Sequence, residues 1–220
     1  MKLVSFSYNK THSIGILDES MMSIVDIHFL TNGQVPDNMS DYLNDFNNNN
    51  IIINDHLSNI SSNSHLKLSD VIIGAPLPNP TSFRDAYAFR QHVEAGRKNR
   101  GLDMIPEYDE FPVFYFSNHQ SICGPGNIYI ENQHLKKLDF EFEIAAVICK
   151  KGKNIKFSDA NDYIGGFVIL NDWREREIQL KEMKLNLGPA KGKDFATSIG
   201  PYLVTLDELE DKKIEKSDGF

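Results

Sequence analysis

Cysteine is scarce in these 220 residues: only Cys123 and Cys149 occur. Two cysteines supply neither a disulfide framework nor a set of zinc ligands. Long apolar runs are missing too. No stretch approaches the roughly 20 residues that a membrane-spanning helix needs, and the opening "MKLVSFSYNK" lacks the apolar core of a secretory signal. We therefore expect a cytoplasmic protein without a membrane partner. Positive charge is in deficit, with 23 Lys and Arg against 31 Asp and Glu and a formal charge of −8. A nucleic-acid binder ordinarily carries a basic surplus or stripe, so nucleic acid is not expected as a partner. The Gly-Lys-Ser/Thr order of a phosphate-binding P-loop is absent, and Ser121 and Ser198 lack the context of a nucleophile elbow. A serine hydrolase is set aside.

What is present is ample material for a core: 40% hydrophobic residues, including 14 Phe and 8 Tyr. The first thirty residues read as short strands with turns at Asn9-Lys10 and Asp18-Glu19-Ser20. Residues 31–66 are polar and asparagine-rich, and predict a short helix near Met39–Phe46 followed by a mobile excursion. Prolines at 76, 78 and 80 suggest a hinge, so we expect a small N-terminal domain over 1–74 and a main domain over 75–220. From Arg84 the pattern turns helical and stops at Gly101. "FPVFYFSN" predicts a strand, "SICGPGNIYI" a turn into another, and "SDANDYI" a short helix capped by Ser158 and closed by Gly165-Gly166.

The stretch "LDFEFEIAAVIC" raises a physical question. As a strand it places Glu141, Glu143, Ala145 and Val147 on one face, with the two carboxylates roughly 7 Å apart. Like charges beside apolar neighbours need a cation between them or a wet face. Asp172 closes a second apolar strand, "FVILND". It is either a turn carboxylate or, with the glutamate pair, part of an oxygen-ligand set suited to Mg²⁺, Mn²⁺ or Ca²⁺. Residues 187–201 form a glycine-rich segment. It is either a surface turn or a close-approach loop that presents Lys193 and Thr197 to an anionic ligand.

Together, "RDAYAFRQH", "LDFEFEIAAVI", "YIGGFVILNDWREREIQ" and "LGPAKGKDFATSIGPYLVT" resemble the fumarylacetoacetate hydrolase family over roughly residues 75–206. The resemblance implies a mixed α/β, mainly β, catalytic domain of the β-roll type preceded by a small β-rich domain. It implies Mg²⁺ or Mn²⁺, with Ca²⁺ as a further option, held by Asp85, Glu141, Glu143 and Asp172. It assigns His92 as the base that activates water, and Gln179 and Lys193 as polarisers of the substrate carbonyl. Tyr87, Tyr115, Arg176 and Thr197 fall at substrate-binding positions, Arg176 also beside the metal. The implied reaction is metal-dependent hydrolysis of a C–C bond in a 2-oxo or β-diketo acid of the fumarylacetoacetate or acylpyruvate type. The same residues would serve decarboxylation, isomerisation or dehydration of a 2-oxo acid, and a shortened chain could be a non-catalytic metal-binding remnant. Family domains continue beyond the "GPYLVT" strand, whereas this chain stops at "EKSDGF". We therefore expect a C-terminally incomplete roll, without the glutamate that orients the histidine, whose open apolar face and strand edges favour a homodimer.

Overall fold

The computed structural model describes residues 1–58, 60, 64–134 and 136–214. Alternating apolar and polar residues build the first hairpin, β1 (Lys2–Tyr8) and β2 (Thr11–Leu17), which pair in register from Leu3↔Ile16 to Tyr8↔Thr11. Asn9 and Lys10, both at positive φ, make its two-residue turn. Strand β3 (Ser23–Asp26) adds to β2. Its last residue caps the one-turn helix α1 (Ile27–Leu30), Asp26 accepting from the Phe29 amide at 3.0 Å.

Helix α2 (Met39–Asn44) lies where the sequence predicts it, capped by Asn38. The expected mobile excursion is different. Residues 46–57 form a second helix, α3 (Phe46–Leu57), through the middle of the asparagine-rich run. Phe46, Asn49, Ile53 and Leu57 recur at helical spacing and turn inward, and Ile53 is fully buried. The buried Asn49 side chain is satisfied by donating to the Tyr42 carbonyl at 2.9 Å. Packing of that stripe overrides the weak helix propensity of asparagine. Residues 59 and 61–63 of the predicted excursion lie outside the described residues.

Strand β4 (His65–Lys67) extends the sheet beyond β3, and β5 (Ile72–Ile73) pairs with the far end of β1. The segment predicted as wholly helical from Arg84 begins instead as β6 (Phe83–Ala86), and helix α4 (Arg90–Lys98) follows. Then come β7 (Phe114–Ser117) and β8 (Ile122–Cys123); no strand forms at 127–130. Strand β9 (Leu138–Asp139) precedes β10 (Phe142–Ile148), the Glu-x-Glu strand. A 3-10 turn over Phe157–Tyr163 leads into β11 (Ile164–Asp172). Gly165 and Gly166 belong to β11 and do not end a helix. A Cβ on Gly166 would stand 2.3 Å from the Val204 carbonyl oxygen, so the neighbouring strand requires glycine there. The chain finishes with β12 (Arg174–Glu175), α5 (Arg176–Met183), β13 (Thr197–Ile199) and β14 (Leu203–Val204).

Ten of these strands form one sheet, in the order β4-β3-β2-β1-β14-β11-β13-β8, with β10 on the other side of β11 and β5 on β1. The pairs β6/β7 and β9/β12 stand as separate ribbons. The architecture is mixed α/β and mainly sheet, as expected. One apolar cluster draws on Leu3, Ile14, Tyr42 and Ile53 from the first third of the chain and on Val147, Val168, Leu170 and Leu203 from the last. Sheet and core therefore both cross position 74/75. On β10 the glutamate face turns inward with Ala145 and Val147, while Phe142 (70% exposed), Ile144 (62%) and Ile148 (60%) face outward. Ile169, cross-strand from Ile144, continues this open apolar face.

Candidate metal centre

Three strands, and the residue just before one of them, bring four carboxylates to one place. Asp85 sits on β6 directly across from Tyr115 on β7, so the two share a face of that ribbon. On the opposite face Arg84 lies over the rings of Phe114 and Phe116, at 5.1 and 5.0 Å. Glu143 projects from β10. Just before β10, Glu141 exchanges two backbone hydrogen bonds with Asp172 at the end of β11, at 3.2 and 3.1 Å. Rigid sheet backbone therefore aims all four carboxylates.

Lys193 occupies the middle. Its Nζ stands 2.5 Å from Asp172 Oδ2, 2.8 Å from Glu141 Oε2 and 3.1 Å from Asp85 Oδ2, and donates to the Tyr115 oxygen at 2.9 Å. The Tyr115 hydroxyl in turn donates to Asp85. Burial works to lower the Lys193 pKa, but Asp172, Tyr115 and Glu141 outweigh it and raise it, so the group stays an ammonium. Arg174 Nη2 lies 2.5 Å from Glu141 Oε1. Four carboxylates thus face two cations, and the surplus negative charge shows in their titration. Burial, then Asp85 and Asp172, push Glu143 up to about 7. Burial raises Asp172 to about 6, a rise that Lys193 opposes and Asp85 and Glu141 support.

These residues fit a hard divalent cation. One carboxylate oxygen each from Asp85, Glu143 and Asp172 lie within 4.8 Å of one another. Asp172 is 1% exposed; its Oδ2 is paired with the Lys193 ammonium, and its Oδ1 has no hydrogen-bond partner. Buried carboxylate oxygens left in that state are the donor set of Mg²⁺, Mn²⁺ or Ca²⁺.

The other predicted residues divide. Thr197 is fully buried on β13, directly opposite Asp172, with its Oγ1 unpartnered. Tyr115 is in the cluster. Gln179, on α5, packs against the turn that carries Lys193 and is outside the acid cluster. His92 is exposed on α4, and its side chain makes no hydrogen bond or ion pair among the described residues. Tyr87 is exposed, its carbonyl accepting from Tyr108. Arg176 is exposed and paired with Asp139, so the arginine that reaches the carboxylates is Arg174. Sequence reasoning passed over Arg174, although two residues apart along extended backbone puts it on the face of Asp172.

A cavity of about 260 Å³ opens beside the cluster, lined by Phe116, Asn118, Pro189, Ala190 and Lys193. A larger one, about 380 Å³, lies at Phe46, Cys149, Asp162 and Leu206 and contains none of the cluster. The chemistry selects the smaller.

Comparison with known proteins gives the family and the fold. Residues 81–216 match the family described as fumarylacetoacetate (FAA) hydrolase C-terminal. The Arabidopsis thaliana fumarylacetoacetase is 35% identical over 166 residues, covering 73% of this chain and 36% of that protein. The oxaloacetate tautomerase YisK of Bacillus subtilis is 30% identical over 156 residues, covering 67% of this chain and 48% of the other. The chain thus matches less than half the length of these curated relatives. The crystal structure of maleylpyruvate hydrolase from Sphingobium sp. SYK-6, in complex with manganese(II) and pyruvate, superposes with a TM-score of 0.64. It is 21% identical and covers 94% of this chain and 68% of that one, which shows a shared fold.

Proposed function

Because this chain belongs to the fumarylacetoacetate hydrolase family, we propose that it is a divalent-metal-dependent enzyme of 2-oxo acids that hydrolyses a C–C bond in an acylpyruvate-type substrate. The observation that carries this reading is the triad of Asp85, Glu143 and Asp172, with the Asp172 Oδ1 buried and unsatisfied and its Oδ2 held by the Lys193 ammonium. Those three carboxylates would hold Mg²⁺ or Mn²⁺, with Glu141 as the fourth once it exchanges Lys193 for the ion. When bound, the cation supplies Lewis-acid polarisation of the substrate's oxygens.

The rest is the work of the chain. Lys193 Nζ and the Tyr115 hydroxyl offer donors to an oxygen that gains negative charge. Thr197 Oγ1 and the Gln179 amide are further polar contacts for the substrate. His92, brought over the site from its exposed helix, takes a proton from water. The hydroxyl adds to the carbonyl carbon and the C–C bond breaks. Its electron pair passes into the 2-oxo acid fragment as an enolate, which is then protonated on carbon.

A second reading is isomerisation or tautomerisation of a 2-oxo acid, which needs the same donors and no attacking water. It is favoured by an exposed His92 side chain, away from the acid cluster, while the Lys193–Tyr115 pair is already assembled, and tautomerisation is the activity in the name of the Bacillus relative. We place the protein in the cytoplasm, as a homodimer. The deciding experiment incubates purified protein and Mn²⁺ with an acylpyruvate and, separately, with enol-oxaloacetate, following both by ultraviolet absorbance. Metal-dependent acylpyruvate cleavage supports hydrolysis, and ketonisation alone supports the second reading. Mn²⁺ binding without either reaction marks a non-catalytic remnant, and absence of Mn²⁺ binding overturns the proposal.

A further inference from the structure

The turn that carries Lys193 is not held by its own backbone alone. Lys193 and Asp194 both donate their amides to the Ala190 carbonyl at 2.8 Å, and Glu175 donates its amide to the Gly192 carbonyl at 2.8 Å. Three successive amides remain, those of Ala190, Lys191 and Gly192. All three point at one acceptor, the Glu182 carboxylate, at 3.3, 2.6 and 3.0 Å. A concave run of backbone N–H groups is an anion cradle. Here the cradle is filled by a side chain of the protein itself.

The seat is close-fitting. A Cβ on Gly192 would stand 2.9 Å from both the Cβ and the amide nitrogen of Gln179, so only glycine lets the turn settle on α5. Gln179 and Glu182, three apart on α5, present one face to the turn. Glu182 also lies in the last turn of its helix, where the macrodipole disfavours an acid, and it forms no ion pair among the described residues. What compensates it is the cradle, through charge-assisted bonds from neutral amides.

We infer that Glu182 is a positioning residue for Lys193: it locks the 190–192 backbone so that Nζ stands between Asp85, Tyr115, Glu141 and Asp172. A lysine side chain has four rotatable bonds, and its tip is placed only as well as its backbone is. Glu182 lies outside the acid cluster and acts on it through the turn. The inference rests on the reading that Lys193 faces substrate, but one arm of its test does not.

That arm labels the metal-free protein with an amine-reactive reagent and follows Lys193 by mass spectrometry, alongside hydrogen exchange of residues 189–194. In E182A, exchange of the three amides accelerates and Lys193 labels about 10-fold faster, whereas E182Q, which keeps one carbonyl acceptor, recovers part of the protection. Labelling of E182A at the parent rate overturns the inference, whatever the activity. With an active parent enzyme, E182A lowers kcat at least about 10-fold while KM stays within about twofold. In the K193A background E182A then costs no more than about twofold, because its effect passes through Lys193. An unchanged kcat in E182A, or additive losses in the double variant, overturns it as well. A parent without turnover counts against the proposed function alone.

Discussion

Asp172 and Thr197 face each other across β11 and β13, both buried, and the Asp172 Oδ1 and the Thr197 Oγ1 each lack a hydrogen-bond partner. Two adjacent orphans in a fully paired region of sheet mark the place where a ligand completes the structure. Mn²⁺ at about 100 times its dissociation constant should raise stability by about 2.7 kcal/mol, read as a rise in Tm. D172N should abolish that rise. A D172N protein that still gains the full shift would remove Asp172 from the metal centre.

Thr197→Val tests the other orphan. The replacement is close in shape and deletes a buried hydroxyl that has no partner. The metal-free protein should gain about 1 kcal/mol, since an unsatisfied buried polar group costs about 1–3 kcal/mol. Substrate affinity should fall. A loss of stability in the metal-free protein would mean that the hydroxyl is satisfied in solution.

The pH dependence follows from Glu143, raised to about 7, and Asp172, raised to about 6, both chiefly by burial. A carboxylate whose folded pKa lies above its unfolded one binds its proton more tightly when folded. Its contribution is therefore present at low pH and lost as pH rises through about 6 to 7. As pH rises from about 4 to about 7, between the unfolded and the folded values, these two groups should make the metal-free protein progressively less stable. Mn²⁺ requires the ionised forms, so its stabilising effect should grow across the same window. Melting curves at four pH values, with and without Mn²⁺, check both slopes.

Arg174 and Arg176 should behave oppositely. Arg174 is 16% exposed and paired with Glu141, itself 20% exposed. R174A should therefore lose about 1–3 kcal/mol. Arg176 pairs with Asp139 at the surface, and R176A should stay within about 1 kcal/mol of the parent. Urea titrations of the two variants decide it, and equal losses would contradict the assignment.

The outward face of β10, with Phe142, Ile144 and Ile148, should drive self-association, because it lies on an edge strand with no further partner among the described residues. Sedimentation should find dimers or larger species. I144K should shift them toward monomer without lowering Tm, since Ile144 is 62% exposed. A monomeric parent protein would dismiss that face as an interface.

Most of the acid cluster was legible because it lies on extended backbone. Alternation alone put Glu141 and Glu143 on one face, and the apolar run before Asp172 showed a rigid strand ending in charge. The helix over 46–57 was not legible, because five asparagines, one of them in the buried stripe itself, hid the inward-turning Phe46, Ile53 and Leu57, whose value appears only when a core receives them. Asp85 reads as helical since "FRDA" has no alternation of its own; its strand exists through pairing with β7. Glu182 left no trace in the pattern, because its partners are backbone amides, which no side-chain spacing announces.

The ribbon of β6 and β7 shares no ladder with the ten-stranded sheet. Yet Asp85 stands on the ribbon, and Glu143 and Asp172 stand on the sheet. Whatever charge they clasp is therefore a rivet between two separately woven pieces of backbone. Phe83 of the ribbon packs on the main core, and polar contacts across the seam come from the Lys193 ammonium and from the Asn118 amide donating to the Asp194 carbonyl. A divalent ion would tighten the same seam with twice the charge. The seam between ribbon and sheet, more than either piece alone, is then where binding is converted into order over residues 83–117.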